Sequence, residues 1–195
     1  QHQLAHFAND TDFNDAELIF VLDDPKLKHE VKVTAHGLYQ TFKHPFKLIL
    51  SEHNLGFAGA NNLGAEYASA EMLLLLNSDI IPKKSGWLSH YLSQFDTLDK
   101  PGVLGATLIY EDETVQHAGM TLTQDSSYPG LYMNHHPYKG VPLSLCNLPE
   151  ISPTITTTGA CMLMKKALFD EVGGFDVMYV LGDFEDSDLR LKFIH

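Results

Sequence analysis

The sequence is poor in cysteine and in long apolar runs, and each scarcity excludes a class of protein. Two cysteines among 195 residues are too few for a disulfide framework, so a reducing compartment such as the cytoplasm is expected. Cys161 lies in an apolar run and is predicted to be a small core residue. No apolar run approaches the roughly 18 residues that a membrane-spanning helix needs.

No basic and apolar leader opens the chain, so we predict no signal peptide. The chain is therefore expected to be cytoplasmic. Any association with the inner face of a membrane is expected to come from parts of the protein outside this chain.

Basic residues are also scarce, since 13 Lys and Arg stand against 25 Asp and Glu and give a net charge of −12. We expect no nucleic acid partner, because proteins bind nucleic acid through Lys and Arg on the phosphates. An acidic protein can still bind an anionic ligand when a divalent cation lies between them. The 11 histidines are scattered, and His135 and His136 have no partner at zinc-ligand spacing, so no structural zinc site is predicted.

Apolar runs that end in carboxylates or amides dominate the first half of the chain. Residues 71–82 (EMLLLLNSDIIP) contain five consecutive apolar residues, which predict a central strand buried on both faces. Residues 17–22 and 46–50 predict two further strands. Helical spacing of apolar residues at 26–42 and 85–98 alternates with these strands, and the alternation predicts an α/β layer with a mainly parallel sheet.

The second half of the chain has a less regular pattern. Residues 103–110 predict a strand with a hairpin return at 114–123, and residues 155–164 predict a buried strand followed by a short helix at 166–172. Between them, periodicity disappears over residues 123–153. A structureless stretch of that length inside a compact domain is usually functional or mobile, so we interpret it as a functional loop rather than an ordinary surface excursion.

Several polar segments are candidate sites, and each also has a simpler structural explanation. Asp23 and Asp24 follow a predicted strand, where they are either ligand-binding residues or helix caps. Asn77-Ser78-Asp79 is either the ligand-binding end of the central strand or a polar turn. The four carboxylates between residues 183 and 188 are either a further candidate site or the acidic first turn of a helix.

Three blocks, taken together and in order, resemble family 2 glycosyltransferases, which are inverting enzymes with the GT-A fold. The blocks are N-x-G-x-x-x-x-x-N-x-G at residues 54–64, L-N-S-D at 76–79, and G-G-F-D at 173–176 followed by E-D-S-D-L at 185–189. Shorter likenesses are V-Q-H-A-G at 115–119 and T-G-A at 158–160. The resemblance covers about residues 17–192, and its specificity lies in the ordered set rather than in any one block.

The resemblance implies a GT-A (Rossmann-like) fold, with a mixed, mainly parallel central sheet flanked by helices, as one domain over residues 1–195. The family's first strand, with its I-P-x-Y-N ending, is absent from the sequence, so we expect a chain that is incomplete at both ends. Lys192 stands where the family often has arginine. The Q-x-x-R-W motif of processive synthases is also absent.

The implied activity is metal-assisted transfer of a sugar from a nucleotide-diphosphate sugar, with UDP or dTDP as nucleotide, to a hydroxyl of a saccharide or glycolipid. By resemblance, Asp186 is the catalytic base with support from Glu185, and Asp79 is the ligand of Mn²⁺ or Mg²⁺. The implied donor-binding residues are Asp23, Asp24, Asn54, Gly56, Asn62, Asn77 and Asp79. The implied acceptor-side residues are Gln116, His117, Thr158 and Gly159.

Two alternatives stay open on the sequence. One is a transferase-like domain that binds a nucleotide sugar without catalysis. The other is a nucleotide-dependent oxidoreductase, which would need a glycine fingerprint after the first predicted strand, where Asp23-Asp24-Pro25 stands instead. Asn54 and Asn62, taken alone, are more often turn or capping residues than ligands.

Overall fold

The computed structural model describes residues 2–179 and 184–193, so Asp183, one of the four clustered carboxylates, lies outside the described residues. The helices are α1 (His2–Ala8), α2 (Lys28–Phe42), α3 (Gly56–Glu66), α4 (Trp87–Thr97), α5 (Lys166–Glu171) and α6 (Glu185–Lys192). The strands are β1 (Ile19–Leu22), β2 (Lys47–Leu50), β3 (Met72–Leu76), β4 (Leu104–Gly105), β5 (Leu108–Ile109), β6 (Val115–His117), β7 (Thr121–Gln124), β8 (Tyr132–His135) and β9 (Cys161–Lys165). Short 3-10 turns lie at Thr11–Phe13, Pro25–Leu27 and Leu143–Leu145.

Strand pairing is parallel in one part of the molecule and antiparallel in the others. β1 pairs with β2 in parallel, whereas β9 lies between β3 and β4 and pairs antiparallel with both. The mixed α/β layer is present, but β3, which we expected at the centre of a mainly parallel sheet, has an antiparallel partner. An apolar run indicates that a strand is buried and does not report the direction of its neighbour.

Strand β3 is covered on both faces, as its unbroken apolar run predicts. Leu73 and Leu75 point into the main core, which also contains Met162 and Met164 of β9. On the opposite face, Leu74 and Leu76 pack against a second cluster. The residues completing the main core are Ala58, Ala65, Phe169, Phe175 and Leu189, and those forming the second cluster are Phe7, Phe13 and Leu88.

The edges of β1 and β3 that point away from β2 and β9 line one cavity of about 470 Å³. The carbonyls of Leu18 and Leu22 accept hydrogen bonds from Lys47, the first residue of β2, and from Ser51, which follows β2. By alternation, Ile19 and Val21 direct their backbone groups away from β2, toward the cavity. Within the described residues, neither of these edges has a strand partner. That the chain lacks a first strand, and is incomplete at both ends, stays a prediction.

The stretch at residues 123–153 is more ordered than its sequence predicts. β7 and β8 form an antiparallel hairpin with Thr121 opposite His135 and Gln124 opposite Tyr132, and a 3-10 turn follows at Leu143–Leu145. The expectation of a structureless loop is therefore wrong for this part. Both strands are largely half-buried or exposed, so their sequences lack the apolar alternation that identifies a strand.

The fold also bears on the expectations for Cys161 and for membrane-spanning helices. Cys161 is 2% exposed and lies in the core strand β9, which confirms its prediction as a core residue. In residues 2–179 and 184–193, no helix combines the length and the apolar character that crossing a bilayer requires.

Candidate functional site

The carboxyl end of β3 lies beside the segment that leads into β9. The backbone N–H of Asn77 donates to the carbonyl of Ala160 at 2.9 Å, which extends the β3–β9 ladder by one pair. Asp79 follows two residues later and is exposed to solvent. The L-N-S-D and T-G-A blocks are therefore neighbours at one end of the sheet, although Asn77 and Ala160 are 83 residues apart in sequence.

The same segment holds the carboxylate of Asp186. The N–H of Gly159 donates to Asp186 Oδ2 at 3.0 Å, and the N–H of Ser187 donates to Oδ1 at 2.8 Å. Asp186 is half-buried in the first turn of α6, where the helix dipole favours a negative charge. Glu185, in the same turn, is 4% exposed. The structure thus brings Thr158, Gly159 and Asp186 together.

Gly159 has no space for a side chain. A Cβ built there would lie 2.6 Å from Cζ of Phe57 and 3.5 Å from Cβ of Asp186. Phe57 lies in the first turn of α3, and its ring packs edge-on against Phe175. The close approach therefore joins the start of α3 to the segment before β9, and glycine is the residue that allows it.

The start of α3 is also tied to the end of β1. Asp23 Oδ1 accepts the N–H of Leu55 at 2.5 Å, and Asn54 Oδ1 accepts the N–H of Gly56 at 3.1 Å. Gly56 has a φ of +66°, a left-handed conformation that favours glycine. Asn54 and Gly56 are exposed, so this turn is accessible to a ligand at the edge of the site.

Two predicted donor-binding residues have structural tasks of their own. Asp24 caps the 3-10 turn at Pro25–Leu27, because its Oδ1 accepts the N–H of Lys26 at 3.0 Å. The Asn62 amide donates to the carbonyl of Phe175 and accepts the N–H of Phe175, both at 2.9 Å. The capping explanation for Asp24 is therefore correct, and Asn62 joins α3 to the G-G-F-D turn. That either residue contacts a nucleotide stays a prediction.

On the acceptor side, His117 is buried rather than exposed to a ligand. It ends β6, is 2% exposed, and its Nε2 lies 2.9 Å from Thr157 Oγ1. Burial, with a smaller contribution from the charge of His136, lowers the pKa of His117 to about 4. Gln116, its neighbour on β6, is half-buried.

Sequence reasoning missed a polar contact between the β7–β8 hairpin and α6. Ser187 Oγ donates to Asn134 Oδ1 at 2.8 Å, and His117 Nδ1 lies 3.2 Å from His136 Nδ1. These partners are 53 and 19 residues apart in sequence, and no local pattern marks either pair. The only sequence feature that could have drawn attention to His136 is its place in a His-His pair.

The described residues contain no cluster of three or more His, Cys, Asp or Glu side chains that could hold a metal ion by themselves. The 470 Å³ cavity reaches Asn77 and Ser78, and a second cavity of about 370 Å³ reaches His117 and Thr157. Neither cavity is lined by Asp79 or Asp186. The candidate site is therefore an open region at the end of the sheet, and a metal there would need oxygen ligands from a bound molecule or water.

Residues 4–173 match the model of the family named glycosyl transferase family 2. The acidic block that begins at Glu185 lies beyond the matched residues. Over 147 residues, the chain is 30% identical to the O-antigen biosynthesis protein RfbC of Myxococcus xanthus, which covers 72% of this chain and 11% of that protein. It is also 30% identical over 145 residues to the uncharacterized protein y4gI of Sinorhizobium fredii, covering 70% of this chain and 15% of that protein.

Among solved structures, the fold is similar to a crystal structure of GalNAc-T7 with UDP, GalNAc and Mn²⁺. The TM-score is 0.62 at 17% sequence identity, and the similarity covers 91% of this chain and 34% of that one. This likeness confirms the expected GT-A fold. The chain spans only about a tenth to a third of the length of these proteins, so their activities as whole molecules are not transferred to it.

Proposed function

The chain belongs to glycosyl transferase family 2, and from that premise we propose that it transfers a sugar, with inversion, from a nucleotide-diphosphate sugar to an acceptor hydroxyl. One observation carries the proposal. Two consecutive residues, Gly159 and Ala160, link the end of β3 to Asp186, since the Ala160 carbonyl accepts from Asn77 and the Gly159 N–H donates to Asp186. The strand end that bears Asp79 and the carboxylate of Asp186 are thereby fixed to the same short segment.

Asp186 acts as the general base in this proposal. The acceptor oxygen bonds to the anomeric carbon as the bond to the diphosphate oxygen breaks, and the hydroxyl proton passes to the Asp186 carboxylate. A single displacement of this kind inverts the anomeric configuration. The N–H groups of Gly159 and Ser187 hold the two carboxylate oxygens in place, which orients the base before the acceptor binds.

Asp79 is the proposed ligand of a divalent cation. It is an exposed carboxylate at the end of a strand, and hard oxygen ligands of this type suit Mg²⁺ or Mn²⁺. Mg²⁺ is commonly bound through one or two carboxylates, substrate phosphates and water, so a single protein carboxylate is compatible with such a site. When bound, the ion would offset the negative charge that develops on the departing diphosphate.

The remaining part of the proposal concerns the donor and the acceptor. UDP in the GalNAc-T7 structure supports a nucleotide-sugar donor, and the O-antigen name of the M. xanthus relative supports a saccharide acceptor. We propose UDP or dTDP as the nucleotide and a saccharide or glycolipid as the acceptor. Asp23, Asn54 and Gly56 would contact the nucleotide, and Thr158 would shape the acceptor side. We propose polysaccharide or glycoconjugate synthesis in the cytoplasm as the setting.

Calorimetry of UDP and dTDP binding to the full-length protein, with and without Mn²⁺, tests the donor site. We expect Mn²⁺ to strengthen binding of one nucleotide in the wild type and Asp79→Asn to abolish that gain. Asp96→Asn, which changes an exposed carboxylate on α4, is the matched control and should keep the gain. If Mn²⁺ does not change the nucleotide affinity of the wild type, the proposed role of Asp79 is contradicted. Nucleotide binding without sugar transfer would favour the non-catalytic alternative.

A further inference from the structure

The buried His117 imidazole is the centre of a hydrogen-bond network that the proposed reaction does not yet use. Its Nε2 receives the N–H of Gly119 at 3.1 Å and lies 2.9 Å from the Thr157 hydroxyl oxygen. The N–H of Thr158 also points to Nε2, at 3.4 Å. Nε2 therefore contacts two backbone N–H groups and one hydroxyl, and these groups come from two segments, one after β6 and one before β9.

These contacts assign the tautomer of His117. A backbone N–H can only donate, so Nε2 must be an acceptor and carries no proton. The ring proton of neutral His117 is consequently on Nδ1, which lies 3.2 Å from His136 Nδ1. His136 Nδ1 must then accept, and the direction of hydrogen bonding between the two rings is fixed by the Gly119 peptide.

The segment that His117 holds is the segment that orients Asp186. Thr157 and Thr158 contact the imidazole, and the next residue, Gly159, donates its N–H to Asp186 Oδ2 at 3.0 Å. The space beside Gly159 is closed, since a Cβ there would lie 2.6 Å from Phe57 Cζ and 3.5 Å from Cβ of Asp186. His117 therefore holds the residues before Gly159, while Phe57 and Asp186 pack closely against Gly159 itself.

The β7–β8 hairpin also contacts this network, through His136 and Asn134. His136 follows β8 and accepts from His117, while Asn134 on β8 accepts from the Ser187 hydroxyl at 2.8 Å. Ser187 is the residue next to Asp186 and also donates its N–H to that carboxylate. The hairpin is therefore joined to both groups that orient Asp186.

We propose that His117 and His136 are a positioning pair that orients Asp186. The two histidines act through the backbone of residues 157–159 and make no contact with the sugar substrates. The inference rests on the proposed function, since Asp186 must be the base for its orientation to matter. It differs from the acceptor contact that the sequence implies for His117, because a side chain that is 2% exposed is unsuited to bind a ligand directly.

Four variants of the full-length protein test the pair by kinetics. His117→Phe keeps the ring volume and removes the acceptor, and we expect kcat to fall about tenfold to a hundredfold with little change in the KM for donor and acceptor. His117→Gln, whose Oε1 can reach the position of Nε2, should recover much of that loss. His136→Asn keeps an acceptor near Nδ1 and should be more active than His136→Leu.

Matched controls and a structural readout separate the possible failures. His36→Leu changes an exposed histidine on α2, outside residues 123–153, and should leave kcat unchanged. Imidazole ¹⁵N shifts should show His117 protonated on Nδ1 alone, and Gly159 amide exchange should accelerate in His117→Phe. The opposite tautomer, or unchanged Gly159 exchange, would overturn the pair even if a variant is too unstable for kinetics.

Asp186→Asn, measured in parallel, distinguishes the two hypotheses. If Asp186→Asn retains normal transfer, the proposed function of Asp186 fails, and the positioning pair fails with it. If Asp186→Asn is inactive while His117→Phe keeps a normal kcat, only the positioning pair is wrong. A uniform rise in KM across the His117 variants would instead assign His117 to substrate binding.

Discussion

The two sides of the candidate site differ in how much of their polar structure the protein itself completes. On the Asp186 side, backbone N–H groups hold both carboxylate oxygens, and the supporting His117 and Gly159 are buried. On the Asp79 side, Asp79, Asn54 and Gly56 are exposed. The difference indicates that the proposed proton acceptor is oriented before substrates bind, whereas the donor side would be completed by the nucleotide and its cation.

Removing the proposed base, Asp186, should give the largest effect and the clearest separation of the two sides. Asp186→Asn is expected to lower kcat by about 10²- to 10⁴-fold, because an amide cannot take the acceptor proton. Nucleotide affinity, measured by calorimetry, should change little, because the donor side lies on other turns. Asp170→Asn, an exposed carboxylate paired with Lys166, is the control. Loss of nucleotide binding in Asp186→Asn would contradict the division of the site into a donor side and an Asp186 side.

Low pH should lower the free energy of unfolding, because His117, which supports the Asp186 side of the site, becomes protonated. The folded-state pKa of about 4 lies below the ordinary value of 6.5, so between these two pH values the unfolded chain binds the extra proton. Stability contributed by the neutral ring is therefore present above pH 6.5 and is lost as pH falls toward 4, by up to about 3 kcal/mol.

Urea unfolding at several pH values checks this expectation. Wild type should lose more unfolding free energy than His117→Gln between pH 7 and pH 4.5, since glutamine does not titrate. Carboxylates elsewhere titrate in both proteins and cancel in the difference. Equal losses in the two proteins would show that His117 is not held neutral by its surroundings.

Two glycines allow the same substitution on each side. Gly159→Ala forces a Cβ to 2.6 Å from the Phe57 ring and should cost about 1–3 kcal/mol of unfolding free energy as well as kcat. A Cβ at Gly56 meets no atom within 4 Å, so Gly56→Ala has only its positive φ to oppose it, at about 1–2 kcal/mol. Thermal unfolding and steady-state kinetics measure both. A loss of kcat in Gly56→Ala equal to that in Gly159→Ala would contradict the division between the sides.

The smallest expected contrast is between the two asparagines of the first sequence block. Asn62→Ala removes two partly buried hydrogen bonds to Phe175 and should lower the unfolding free energy by about 1–3 kcal/mol. Asn54→Ala removes one exposed turn contact and should stay within about 0.5 kcal/mol, acting instead on nucleotide affinity. Urea titration and calorimetry separate the two effects, and equal destabilisation would be evidence against this assignment.

Sequence patterns mark the acidic candidates but not the residues that support them. Asp23 and Asp79 are candidates because each follows an apolar strand, whereas the acidic block near residue 186 marks four carboxylates equally, and only the resemblance selects Asp186 among them. The family resemblance added the order of the blocks and the fold. The two bonds of Asn62 to Phe175 could not be predicted, since the partners are 113 residues apart and an asparagine taken alone is more often a turn or capping residue.

Strand direction and the hairpin were also beyond the sequence. The run at Met72–Leu76 predicts burial equally well for a parallel or an antiparallel neighbour, and its neighbour β9 is antiparallel. β7 and β8 are half-exposed strands with few apolar residues, so their pairing depends on the chain around them rather than on their own pattern. The contact of His136 with His117 exists only once this hairpin has formed.

The ladder between β3 and β9 limits how this chain can change in length. Leu76 lies opposite Cys161, and one further pair joins Asn77 to Ala160. Adding one residue within β9 would turn the following side chains to the opposite face and move Met164 out of the core. By contrast, the hairpin tip at residues 126–131 is exposed and can take up extra residues. Insertions and deletions among relatives should therefore concentrate at this tip and avoid the ladder, where a single residue would shift the pairing of Asn77 with Ala160.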